Sequence, residues 1–246
     1  TVPLITMRRP RMRQPQEAAR LSGLRGLRNL WSFGSGTRCL VTGSEFVLGT
    51  HSQVGAGVLS VPASTWNETG SSVVLSWVPS GGFTVIIGYK QTSGVVGMSL
   101  MAGNWNGVYF VDGAAAQTAS ADFSGAVNYP PAAAHEPPVD YVAVSCAANA
   151  LQASINGSHV VADTACNMPT FGVAPTLRIG TDMDGYNRAD VLVQYLALLD
   201  RTSSPEELRA YSADPWGALF APRRIRTGDC AAASQRDPCV PPASRM

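Results

Sequence analysis

Three pieces near the C-terminus decide the fold: "LRIG" (Leu177–Gly180), the apolar run Asp190–Asp200, and "SSPEELRAYSADPWGALFAPRR" (Ser203–Arg224). The first two read as strands. In the third, Ser204 stands at the N-cap of a helix, Pro205 at its first position, where a missing N–H costs nothing, and Glu207 three residues past the cap. That spacing is a capping box. Leu208 and Tyr211 share one helical face, and Asp214-Pro215 ends the helix, because the residue before proline is steered out of the helical region. Trp216, Leu219 and Phe220 follow and need a surface to pack against. The pattern predicts one short helix laid over a sheet.

Upstream, the chain reads as strand, turn, strand. Short β candidates are Thr37–Leu48, Gly57–Ala63, Val95–Gly103, Gly107–Gly113 and Val139–Ala148. Ser71–Pro79 and Phe83–Gln91 are separated by Ser80-Gly81-Gly82, a short loop of hairpin type. The sharpest local signal is "LQASINGSHVVA" (Leu151–Ala162), where Asn156-Gly157 supplies the two positive-φ residues of a type I′ turn. Tyr129–Pro138 is too rich in proline to join a ladder and reads as a surface loop. Many short strands at close intervals predict a two-sheet antiparallel sandwich.

Composition limits the setting. The chain has 246 residues, of which 14% are charged, against about 25% in an ordinary globular protein. No apolar run reaches the roughly 20 residues of a membrane helix, so no membrane partner is expected. Net charge is +1, yet seven arginines fall within the first 28 residues against a single acid, Glu17. Residues 1–30 therefore read as a basic extended arm, 31–226 as the sandwich, and 227–246 as a tail that is flexible or held by a partner. Arginines alone have the chemistry to bind phosphates. With prolines at 3, 10 and 15 and no aromatic before Trp31, docking on a protein through Arg8, Arg9, Arg11 and Arg13 is the expectation, rather than nucleic acid. The five cysteines (39, 146, 166, 230 and 239) lack metal-ligand spacing. Cys146 and Cys166 can pair in an oxidising environment, but reduced thiols are the expectation.

With the elements placed, the chain resembles the laminin-G-like, concanavalin A-like jelly-roll domains. The resemblance is carried by "YVAVSCAANALQASINGSHVVA", "LRIGTDMDG" and "VQYLALLDRTSSPEELRAYSADPWGALFAPRR". The ending "ADPWGALFAPRR" and the leader "VPLITMRRPRMRQPQ" look closest to versions found on tailed-bacteriophage structural proteins. The resemblance implies an all-β jelly roll with one short C-terminal helix and extended termini. It implies a structural protein of the virion (capsid decoration, collar or tail appendage), made in the bacterial host cytoplasm. Its partners would be other virion proteins and copies of itself. The alternative is a carbohydrate-binding adhesin module that attaches the particle to host surface glycan.

Catalysis is not expected. Glucanases of this fold cluster carboxylates on one strand, whereas Glu45, Glu68 and Glu136 are isolated and Glu206 and Glu207 belong to the helix cap. His51, His135 and His159 are dispersed and sit in no nucleophile motif. Asp182 and Asp184 resemble the first half of a calcium loop without its closing acid, so a turn is the better reading and no metal is expected. No phosphate-loop lysine is present, and no cofactor is expected. Trp105, Tyr109 and Tyr186 are the candidates for a sugar-stacking platform, weighed against the usual core role of such rings.

Overall fold

The computed structural model describes residues 24–63, 70–94, 96–101, 107–113, 116–121, 125–128, 140–165, 171–181 and 188–220; from 101 to 128 and at 219–220 it is the backbone that is described. The described strands form two antiparallel sheets, the sandwich that the turn spacing predicts. The larger runs β12 (Val161–Asp163), β11 (Ala150–Ile155), β10 (Asp140–Ala147), β5 (Phe83–Gly94), β14 (Ala189–Leu199), β3 (Val58–Val61), β2 (Gln53–Gly55). One edge of β14 is shared: β3 pairs with Val191–Val193, and β1 (Leu27–Ser32) pairs with its second half. The smaller sheet runs β4 (Ser71–Val74), β13 (Thr176–Ile179), β6 (Val96–Met101), β7 (Gly107–Gly113), β8 (Ala116–Ala121), β9 (Gly125–Asn128).

The main core lies between the sheets. Trp31, Val85, Ile87, Tyr89, Val142, Val193, Leu196 and Leu198 from the larger sheet meet Met98, Leu100, Leu177 and Ile179 from the smaller. Phe46 packs edge-on against Trp31 and Phe33, with ring centroids 5.0 and 5.6 Å apart. A second apolar layer covers the outer face of the larger sheet, where Leu30, Ile86, Ala143, Tyr195, Ala197 and Leu199 are capped by the helix α1 (Pro205–Ala213) through Leu208 and Tyr211. This explains the unbroken apolar runs "TVII" and "YLALL": strands buried on both faces lose the alternation of a half-exposed strand. The capping box forms as the sequence predicts. Ser204 Oγ accepts from the Glu207 N–H, and Glu207 accepts from the Ser204 N–H at 2.9 Å. A second short helix, α2 (Pro215–Phe220), follows the Asp214 cap.

Three local expectations are corrected. Thr37–Leu48 is not a strand: it makes only the isolated bridges Arg38–Glu45 and Val47–Ser72. Its apolar alternation instead serves a loop, in which Phe46 and Cys39 are buried and Cys39 Sγ accepts from the Leu30 and Thr42 N–H groups. Second, Ser80-Gly81-Gly82 does not close a hairpin. It carries the chain from β4 in one sheet to β5 in the other. Gly82 has φ 125°, and a Cβ there would lie 2.6 Å from Thr202. Third, β1 begins at Leu27, so the sandwich takes in residues 27–30, grouped above with the arm; Leu30 and Trp31 are fully buried, and Arg28 pairs with Asp200 at 2.6 Å. Arg8, Arg9, Arg11, Arg13 and the 227–246 tail lie outside the described residues.

The Asn-Gly turn is present, with φ of 49° at Asn156 and 73° at Gly157. It also holds neighbours together. Asn156 Oδ1 accepts from the Tyr141 N–H, its Nδ2 donates to Asp140, and the Gly157 N–H donates to Ser212 of α1.

Candidate functional site: the outer face of the smaller sheet

The two outer faces differ. The larger sheet's is roofed by α1 and α2, whereas the smaller sheet presents polar side chains. On β13, Leu177 and Ile179 point into the core with no exposure, so Thr176 and Arg178, both half-buried, lie on the other face. Likewise β4 buries Ser71 and Val73 and turns Ser72 and Val74 outward, Val74 being 61% exposed. Strand register then draws one row across the sheet: Ser72, Arg178, Ser99, Tyr109, Ser120, Ala126. Hydroxyl-bearing residues dominate it. Across the six strands the only charged residues are Arg178 and Asp112.

Two polar groups in this region lack partners. Arg178 Nε is buried, and no described residue accepts a hydrogen bond from it. Thr181 Oγ1 is buried and likewise without a partner. They are linked through Ser99, which stands opposite Arg178 and donates its hydroxyl to the Thr181 carbonyl at 3.0 Å. A buried donor or acceptor left unpaired costs about 1–3 kcal/mol, a cost also met at Trp31 Nε1, Gln194 Oε1 and Tyr195 Oη of the larger sheet.

Of the sugar-platform candidates, Tyr109 is placed by its backbone in the same row as Arg178, while Trp105 and Tyr186 lie outside the described residues, as do Asp182 and Asp184. Arg178 is not among the candidates the sequence offers, because "LRIG" reads there as a fold marker. The signal was there: an arginine between two core residues of a strand must occupy the opposite face. The aromatic cluster that is described lies elsewhere. Tyr195 stands 5.9 Å from Tyr141 and 5.0 Å from Trp216, beneath the helices. Burial pushes the Tyr195 hydroxyl well above its ordinary value, with the charges of Tyr141 and Asp214 adding to it.

The described carboxylates are committed to holding structure. Asp190 accepts from Ser93 Oγ and the Ala63 N–H, which hold its carboxyl below the ordinary range and clasp β14 to β5 and to the exit of β3. Glu45 accepts from Thr37 Oγ1 at 2.7 Å. Glu207 is gripped by both ends of the Arg201 guanidinium at 2.7 and 2.8 Å, which draws its pKa down to about 2. Among the described residues, no group of three or more His, Cys, Asp or Glu could hold a metal ion. His159 is exposed and lies outside the strands, and Cys166, the candidate partner of buried Cys146, is outside the described residues.

No protein-family model and no curated protein matches the chain. Solved structures do resemble it in fold. The binding domain of botulinum neurotoxin DC in complex with rat synaptotagmin II superposes with a TM-score of 0.61 at 7% identity, covering 79% of this chain and 52% of that one. The same binding domain in complex with SialylT gives 0.58 at 8% identity, with the same coverage. A Trypanosoma rangeli sialidase in complex with sialic acid gives 0.53 at 11% identity, covering 82% of this chain and 37% of that one. The chain thus spans about half the length of these structures or less, and at such identities the likeness is one of fold: a two-sheet jelly-roll sandwich.

Proposed function

We propose that the chain is a non-catalytic carbohydrate-binding module whose ligand lies on the outer face of the smaller sheet. The observation that carries this reading is the row Ser72–Arg178–Ser99–Tyr109–Ser120. It is rich in hydroxyls and nearly free of charge, with Ser72 and Arg178 half-buried, Ser99 fully buried, and one guanidinium whose Nε no described residue satisfies. Sugars are recognised by hydroxyl and amide hydrogen bonds and by an aromatic face, and Tyr109 supplies the residue type for the latter. Sharing a fold with a toxin binding domain seen with SialylT and a sialidase seen with sialic acid supports the same choice over a purely structural role. The carboxylates support a binder rather than a hydrolase, since those described are tied up in caps and clasps.

The setting belongs to the same proposal. The arm and the "ADPWGALFAPRR" ending support display on a tailed-phage particle, with Arg8, Arg9, Arg11 and Arg13 docking on a virion protein. A glycan array probed with the full chain should give selective binding, and alanine at Ser72 or Tyr109 should weaken it. Binding to no glycan would end the reading. Removing residues 1–23, which leaves β1 whole, should yield a folded module that no longer joins a particle.

A further inference from the structure

We infer that the ligand of this face carries a carboxylate, gripped by Arg178; the inference rests on the carbohydrate-binding reading and narrows it to acidic glycans. Two half-buried arginines are used in opposite ways. Arg201 donates to Glu207 twice, to Tyr211 and to the backbone carbonyls of Arg25 and Thr202. Arg178 has no such set: no described acid pairs with it, and its Nε is covered without an acceptor. Nε is the one nitrogen of Arg178 that is buried without a partner, and the two Nη atoms form the fork proposed to take the ligand. Two parallel N–H groups in a plane match the two oxygens of a carboxylate.

The surroundings favour an anion as well. The one other charged residue of the six strands, Asp112, belongs to the alternate set of rows, the set running through Met98 and Phe110. Arg178 therefore has no counter-charge in its own row. Ser72, half-buried, flanks it on one neighbouring strand, and Ser99, fully buried, on the other. Exposed Val74, beside Thr176 in the next row, offers apolar surface to the C–H face of a sugar ring. A cation with no counter-charge among the described residues acts as a selector, because a neutral sugar leaves it without a partner.

The test pairs probes that differ in one carboxylate: sialyllactose against lactose, and galacturonic acid oligomers against their methyl esters. Titration of the full chain should show at least one acidic member binding about ten- to a hundred-fold tighter than its neutral partner. Affinity for the acidic member should fall as salt rises. Arg178→Met should erase that preference, bringing the acidic member's affinity down to that of its neutral partner. Arg178→Lys should recover it in part, since the charge returns without the fork. Neutral members binding as tightly as acidic ones would overturn the carboxylate and leave the glycan reading standing. So would sulfated glycans on the array binding in preference to every carboxylated one. An array with no binding at all would remove both. The esters and the salt dependence need no variant, so a misfolded Arg178→Met would not blunt the test.

Discussion

The two sheets of the sandwich were built to different ends. The larger is apolar on both faces: Ile86, Tyr195 and Leu199 are as completely buried under the helices as Val85, Leu196 and Leu198 are in the core. The smaller sheet buries Leu177 and Ile179 on one side and leaves Ser72, Thr176 and Arg178 half-buried on the other. A sheet closed on both faces can contribute stability but no surface. The face that carries half-buried Ser72, Thr176 and Arg178 is the one proposed to meet a ligand.

That contrast can be broken most directly at Tyr195, which is fully buried beneath Trp216 and Tyr141. If the outer layer is core, Tyr195→Ala should lower unfolding free energy by about 3–5 kcal/mol, read from urea titration. A loss below about 1 kcal/mol would mean that the helical roof is only loosely attached. Next comes the joint between roof and sheet. Gly157→Val places a β-branched residue at φ 73°, with a Cβ 2.8 Å from Ala213. It should cost on the order of 2 kcal/mol, whereas Gly81→Ala, which meets nothing within 4 Å, should be nearly silent.

The helix cap gives a smaller effect with a pH signature. Ser204→Ala should remove about 1 kcal/mol. Glu207 is held at about 2 against an ordinary 4.5, chiefly by its hydrogen bonds from Arg201. Because the folded pKa is the lower one, its contribution is fully present above about pH 4.5 and is lost as pH falls toward 2. Glu207→Gln should flatten that part of the melting-temperature profile; an unchanged profile would place the acid sensitivity elsewhere. Smallest of all should be Ser72→Ala on the open face, within about 0.5 kcal/mol in stability, while glycan binding falls. A stability loss as large as that of Tyr195→Ala would show the open face to be structural.

By itself the sequence determined the local grammar. Ser204, Pro205 and Glu207 specify a helix start, Asn156-Gly157 a turn, and the alternation in "TLRIG" a strand, because each of these depends on neighbours a few residues away. The unbroken runs in β5 and β14 foretold deep burial, though not that a helical roof would cause it. Only the tertiary structure decided which strands pair. Ser80-Gly81-Gly82 looks like a hairpin loop, yet β4 and β5 part to different sheets, and residues 27–32 become a strand because β14 has a free edge to offer them. The candidate site falls in the same class. Ser72, Arg178, Ser99 and Tyr109 lie far apart in the chain, and only strand register sets them in one row. Cross-strand neighbours are fixed by long-range pairing energy, which no local pattern of residues encodes.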